Sequence, residues 1–91
     1  MTPNKIRNVI EIYRARLIDL DAKEINYSHE QIAHLSSNIF GHCLGMLDRM
    51  LEFIEEGRIE KTFRWLGFVQ GCLWAEGIYT LEDLRGHNRP D

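Results

Sequence analysis

Three groups of side chains in this sequence could take part in chemistry with a ligand. The first is Tyr13 with Arg7, Arg14 and Arg16 around it, and Lys23 and Tyr27 just beyond. An aromatic face beside guanidinium and ammonium groups suits a phosphorylated purine, because the ring stacks on the base while the cations meet phosphate. Tyr13 also falls on an apolar stripe, and reads equally as a core residue with its hydroxyl at the rim. The second group is Arg58, Lys61 and Arg64 at helical spacing, and the third is Arg85, His87, Asn88 and Arg89. Both also read as solvated faces, with Glu60 and Glu82 as ion-pair partners.

None of these is a catalytic set. His34 and His42 lie eight residues apart, with no HExxH, no CxxC and no tight carboxylate group, so no metal site is predicted. His29, His34 and His42 read as surface or partly buried helix residues. His42 and Cys43 are sequence neighbours, which on a helix point about 100° apart and cannot form a nucleophile–base pair. Glu55 with Glu56 and Glu82 with Asp83 stand where they would end one helix and favour the start of another. No P-loop or dinucleotide fingerprint occurs. The expectation is a binding protein, not an enzyme, with no catalytic residue, metal or cofactor.

Helices must position these groups. Thr2 caps and Pro3 opens a first helix over 3–20, whose Ile6, Val9, Ile10, Tyr13, Leu17 and Leu20 share one face. The period is then lost through Tyr27. Ser28, with Gln31 three residues on, has the pattern of a capping box and predicts a long second helix over 29–56. Gly57 suits a left-handed stop, and a third helix over 58–76 is apolar around most of its second half. Gly77 ends it, and Thr80 with Asp83 predicts a short fourth helix over 81–87, followed by Pro90. The fold class is therefore all-α: residues 1–91 form a single domain, with an N-terminal helix, a long antiparallel hairpin and a short C-terminal helix. Gly41 with Gly45 and Gly67 with Gly71 repeat a Gly-x-x-x-Gly spacing. Glycine costs about 1 kcal/mol relative to alanine inside a helix, so tight helix crossing is expected at these positions. The apolar excess of the third helix predicts burial against another copy, in a compact homo-oligomer.

Composition narrows the setting. A chain of 91 residues buries a thin core, and a formal net charge of -3 argues against coating DNA or RNA polymers while permitting a local basic pocket. Cys43 and Cys72 sit in apolar helical patterns and read as buried thiols. The longest dense apolar stretch, Trp65 to Ala75, falls short of the roughly 20 residues a bilayer span requires, and no basic, apolar leader opens the chain. An intracellular protein with no membrane partner is expected.

The run Arg64-Trp-Leu-Gly-Phe-Val-Gln-Gly-Cys-Leu-Trp74, within Lys61 to Pro90, together with the closing His87-Asn-Arg-Pro90, resembles the helical hairpin end of the tailed-phage anti-CBASS sponge proteins. A Thoeris-inhibiting sponge family shares that hairpin but adds a β-rich N-terminal part that nothing here resembles. Val9-Ile-Glu-Ile-Tyr-Arg-Ala-Arg-Leu17 is similar to the first helix of the anti-CBASS type, whereas residues 19–40 are only weakly alike. The resemblance implies a phage-encoded homohexamer, in the cytoplasm of the infected bacterial host, that sequesters cyclic oligonucleotide messengers without cleaving them and so evades immunity. It implies that Tyr13 stacks on a cyclic dinucleotide base. A lysine contacts phosphate, and Lys23 is the nearest one, in a stretch that departs from the family's pattern. For cyclic trinucleotides in separate pockets, Arg64, Asn88 and Arg89 are the polar contributors the resemblance suggests; Arg14 and Arg16 join Tyr13 from the residue pattern. Cyclic ADP-ribose is a further ligand to test.

A competing class is a small helical module whose exposed apolar helix docks onto a host protein and inhibits or regulates it. A DNA-binding reading is disfavoured by the acidic balance and by the absence of a basic recognition helix.

Overall fold

The computed structural model describes residues 1–32 and 36–90. Among them the chain is all-helical: α1 (Pro3–Asp19), α2 (Ser36–Glu55), α3 (Ile59–Ala75) and α4 (Leu81–Asn88). The Thr2 side chain accepts from the Lys5 backbone N–H and Pro3 follows at the first helical position, so α1 starts where its own residues dictate. Thr80 and Asp83 form a complete capping box at the start of α4.

The first three helices stop in the same way. After α1, the Asp21 N–H donates to the Ile18 carbonyl and the Ala22 N–H to the Leu17 carbonyl; after α2, Gly57 donates to Ile54 and Arg58 to Phe53. After α3, Gly77 donates to Trp74 and Ile78 to Leu73. This paired bonding needs a left-handed residue at the turn, supplied by Asp21 (φ 60°), Gly57 (φ 74°) and Gly77 (φ 76°). Asp21 is the one without glycine's freedom, and the helix ends at Asp19, next to the loss of period that marked its end in the sequence.

α2 and α3 run antiparallel. Ser36 Oγ donates to the Glu76 carboxylate at one end, and Phe53 meets Trp65 edge to face with ring centroids 4.8 Å apart toward the other. α1 lies across α2, strapped by Arg7–Glu55 and Arg14–Asp48 ion pairs, each at 3.0 Å. Ile6, Val9, Ile10, Tyr13 and Leu17 of α1 close the core over Cys43, Leu47 and Met50 of α2 and Val69 and Leu73 of α3. Leu84 anchors α4. Buried Thr62 donates to the Arg58 carbonyl, and among the described residues no buried side-chain polar atom lacks a partner.

Two expectations need correction. α2 begins at Ser36, not at residue 29. Ser28 and Gln31 instead form an isolated turn, the Gln31 N–H donating to the Ser28 carbonyl and the Ser28 N–H to Gln31 Oε1. The segment before it is held against α2, through the Ile25 N–H to the Gly41 carbonyl and the Tyr27 N–H to His42 Nδ1. His34 and Leu35, assigned to that helix from their spacing, lie outside the described residues.

The glycine pairs also behave differently from the expectation of helix crossing. A Cβ on Gly41 would land on the Lys23 carbonyl oxygen, and one on Gly45 would lie 2.8 Å from Asn26 Oδ1. The stripe on α2 therefore seats the 23–26 segment, whose Ile25 N–H donates to the Gly41 carbonyl at 3.2 Å. Gly67 and Gly71 have nothing within 4 Å of a Cβ, and stand beside Phe68 and Trp74, 55% and 52% exposed. The α3 face thus has no partner within the described residues.

Candidate functional site

The segment seated on the glycine stripe forms one wall of a cleft of about 570 Å³. Asn26 to His29 line that wall, and α2 and α3 supply the rest. Ile39, His42, Met46 and Arg49, three or four residues apart, with Cys43 beside them, lie on one side of α2, while Trp65, Phe68 and Cys72 share a face of α3. A cleft of this volume, mostly apolar with a few polar groups, has the dimensions of a small-molecule site.

Its rings are organised around His42. The His42 Nδ1 accepts from the Tyr27 backbone N–H at 3.3 Å, so the neutral ring carries its proton on Nε2. Tyr27 packs edge-on against His42 at 5.7 Å between centroids, and Phe68 does so from α3 at 6.5 Å. Both thiols line the same cleft. Hydrogen bonding to Cys72 and burial raise the Cys43 thiol far above its usual range, whereas Cys72, accepting that bond as thiolate, is shifted down. Cys72 is only half-buried, contrary to the expectation of two buried thiols.

Cations gather around the Phe53–Trp65 ring pair, of which Trp65 lines the cleft, and among these cations Arg49 lines it too. The Arg49 guanidinium carbon lies 5.8 Å from the Trp65 ring centroid and 5.9 Å from that of Phe53. Lys61 Nζ lies 4.7 Å from the Phe53 centroid and 5.5 Å from that of Trp65, and Arg58 lies over Phe53 at 5.0 Å. Arg58 is also paired with Glu56, but among the described residues neither Arg49 nor Lys61 pairs with a carboxylate. These cations rest on ring faces without being neutralised.

A second polar cluster holds Tyr13, which is 0% exposed. Its hydroxyl accepts from Gln70 Nε2 at 2.9 Å and shares a hydrogen bond with His87 Nδ1 at 2.9 Å. Gln70 and Asn88 pair their amides, at 2.7 Å and 3.2 Å. The Tyr13 ring packs against Tyr79 and His87 at 5.5 Å and 5.3 Å. Burial pushes the Tyr13 hydroxyl from 10.0 up to about 12, with the Gln70 bond pulling the other way. Burial also raises Tyr79, opposed by the Arg16 charge. Of the two readings open for Tyr13, this structure has the core residue: it pins α4 and the turn before it onto α1.

The seven residues marked in the sequence do not converge. Tyr13 and Asn88 meet through Gln70, and Arg89 bonds Glu82 at 3.0 Å at the same end of the chain. Arg14 is engaged by Asp48, and Lys23 by Asp21 at 3.1 Å. Arg16 and Arg64 are exposed on α1 and α3. Lys23 borders a shallower depression of about 340 Å³ beside Phe40. Among the described residues no three His, Cys, Asp or Glu side chains come together to hold a metal ion. His42, Arg49 and Phe68 were missed as site residues. The available signal was polar His42 and Arg49, seven residues apart, on an otherwise apolar face of α2.

Comparison of the chain with protein-family models, with curated proteins and with solved structures gave no match.

Proposed function

We propose that this protein is a phage anti-defence sponge that binds cyclic oligonucleotide messengers intact and withholds them from host antiviral signalling. The observation that carries this reading is the cleft, where Tyr27, His42 and Phe68 offer ring surfaces for a base and Arg49, unpaired with any described carboxylate, offers positive charge. Stacking tolerates any base, and a guanidinium suits a phosphodiester. The likeness of Lys61 to Pro90 to the anti-CBASS proteins points the same way.

We place the ligand in this cleft and not on Tyr13, because the Tyr13 ring is buried against Tyr79 and His87. Exposed Lys23, Arg16 and Arg64 lie outside the cleft lining, and a part in ligand binding for them belongs to boundaries between copies. A homohexamer fits that requirement. The exposed α3 face with Gly67, Gly71 and Trp74 supports such assembly, since contiguous apolar surface is usually covered in use.

The test is a thermal-shift screen against cyclic di- and trinucleotides and cyclic ADP-ribose isomers, with bound ligand recovered and checked for intactness. A ligand that binds only the folded chain raises its stability by RT ln(1 + [L]/Kd). The same exposed α3 face favours a second reading, a module that docks onto a host protein, which predicts no shift with any nucleotide.

A further inference from the structure

The cation group around the Phe53–Trp65 pair is not explained by the fold. Arg14 and Arg7 strap α1 to α2 through carboxylates, but Arg49 and Lys61 converge on one aromatic pair from two different helices, and among the described residues neither is ion-paired with a carboxylate. Bringing like charges together costs free energy that ring faces offset only in part, at about 0.5–1 kcal/mol per exposed contact. A bound anion would offset the rest. Arg49 also lines the cleft beside Trp65, so the charged end and the ring-lined end belong to one continuous surface.

We infer that the cleft holds its ligand in one orientation: Arg49 and Lys61, both near the Trp65 ring, hold a phosphate group of the ligand, and Tyr27, His42 and Phe68 at the other end take its base. This rests on the nucleotide reading above and adds the orientation of the ligand and its phosphate contacts. Trp65 lines the cleft and has both cations near its ring, so its indole resonance reports the phosphate end. Arg58, already shared with Glu56, contributes less.

The experiment follows backbone and indole NMR signals of the full chain during two titrations, one with inorganic pyrophosphate and one with cyclic di-adenosine monophosphate. Wild type is compared with Arg49→Gln, Lys61→Gln, the double variant and charge-retaining Arg49→Lys, each checked for an unchanged spectrum before ligand is added. Pyrophosphate is expected to move the Trp65 indole and the signals of residues 49 and 61, and to lose that effect in the double variant but not in Arg49→Lys. For the cyclic dinucleotide, each Gln variant should weaken binding about tenfold. Removing each cation should also weaken the dependence of that binding on salt, because fewer screened charge contacts remain. If wild type binds pyrophosphate at these residues but no cyclic nucleotide, the phosphate site stands and the sponge reading falls. If pyrophosphate leaves these signals in place, or if the double variant binds the cyclic dinucleotide as well as wild type does, the assignment is overturned.

Discussion

Replacing Gly41 by alanine separates the two roles that its helical position suggests. On helix propensity alone the change should stabilise α2 by about 1 kcal/mol. The new methyl group, however, lands on the Lys23 carbonyl oxygen, with the Ile25 side chain 3.3 Å away, and neither can yield without moving the segment seated there. Displacing that segment breaks the Ile25 N–H bond to the Gly41 carbonyl, a loss of about 1 kcal/mol, and overpacking of this kind costs about 1–3 kcal/mol more. The net expectation is a destabilisation of about 1–3 kcal/mol, or a fall in Tm of about 4–8 °C for each kcal/mol in a domain this size. Because the same segment carries Tyr27 into the cleft, ligand affinity should fall even where the chain remains fully folded. Gly67→Ala is the internal control: nothing lies within 4 Å of its Cβ, so the protomer should gain about 1 kcal/mol, while any assembly packed through α3 should weaken. Urea unfolding, with affinity measured in parallel, reads all of these quantities. A Gly41→Ala chain as stable as Gly67→Ala, or more so, would refute the argument that α2 is built around a close approach of the 23–26 backbone.

Further outcomes follow from the other sites. Tyr13 has its folded-state pKa raised from 10.0 to about 12, so above pH 10 the unfolded chain releases a proton that the folded chain keeps; its stabilising contribution is intact below pH 10 and lost as pH climbs toward 12, by about 2 kcal/mol. Denaturation at pH 9 and pH 11.5 should show that loss, and Tyr13→Phe should reduce the slope, leaving the smaller part due to Tyr79. With limiting iodoacetamide, Cys72 should alkylate well before Cys43, as read by peptide mass mapping, and an occupied cleft should slow it. Asp21→Gly should stabilise the chain by about 0.5–1 kcal/mol in thermal unfolding, because it relieves a side chain from the left-handed region and gives up only an exposed pair with Lys23.

Local signals in the sequence are local facts, and these were legible. Thr2 with Pro3, Thr80 with Asp83, Gly57 and Gly77 satisfy their own neighbours, so their roles follow from residue type and a spacing of a few positions. Ser28 with Gln31 shows the limit: the pair does bond as a cap would, but in an isolated turn, after a stretch tethered to α2 at Ile25 and Tyr27. Glycine spacing on α2 indicated that something approaches closely, and could not say that it is a segment of irregular chain. The cleft was hidden for the same reason, because Tyr27 lies in an aperiodic stretch and gains its place only from a groove fifteen residues and more further along. Tyr13 among arginines stayed open between a stacking platform and a core residue because its partners Gln70 and His87 lie on α3 and α4, far away in sequence.

The central claim is that the cleft takes up cyclic oligonucleotides. Calorimetric titration of cyclic di- and trinucleotides into wild type and Tyr27→Ala, with the ligand recovered afterwards, tests it most directly. The account predicts saturable binding of intact ligand by wild type and a loss of about tenfold or more in Tyr27→Ala, in line with the stacking energy of one base. Binding that Tyr27→Ala leaves unchanged would move the ligand out of this cleft, and no binding by wild type would contradict the sponge reading and favour the protein-docking module.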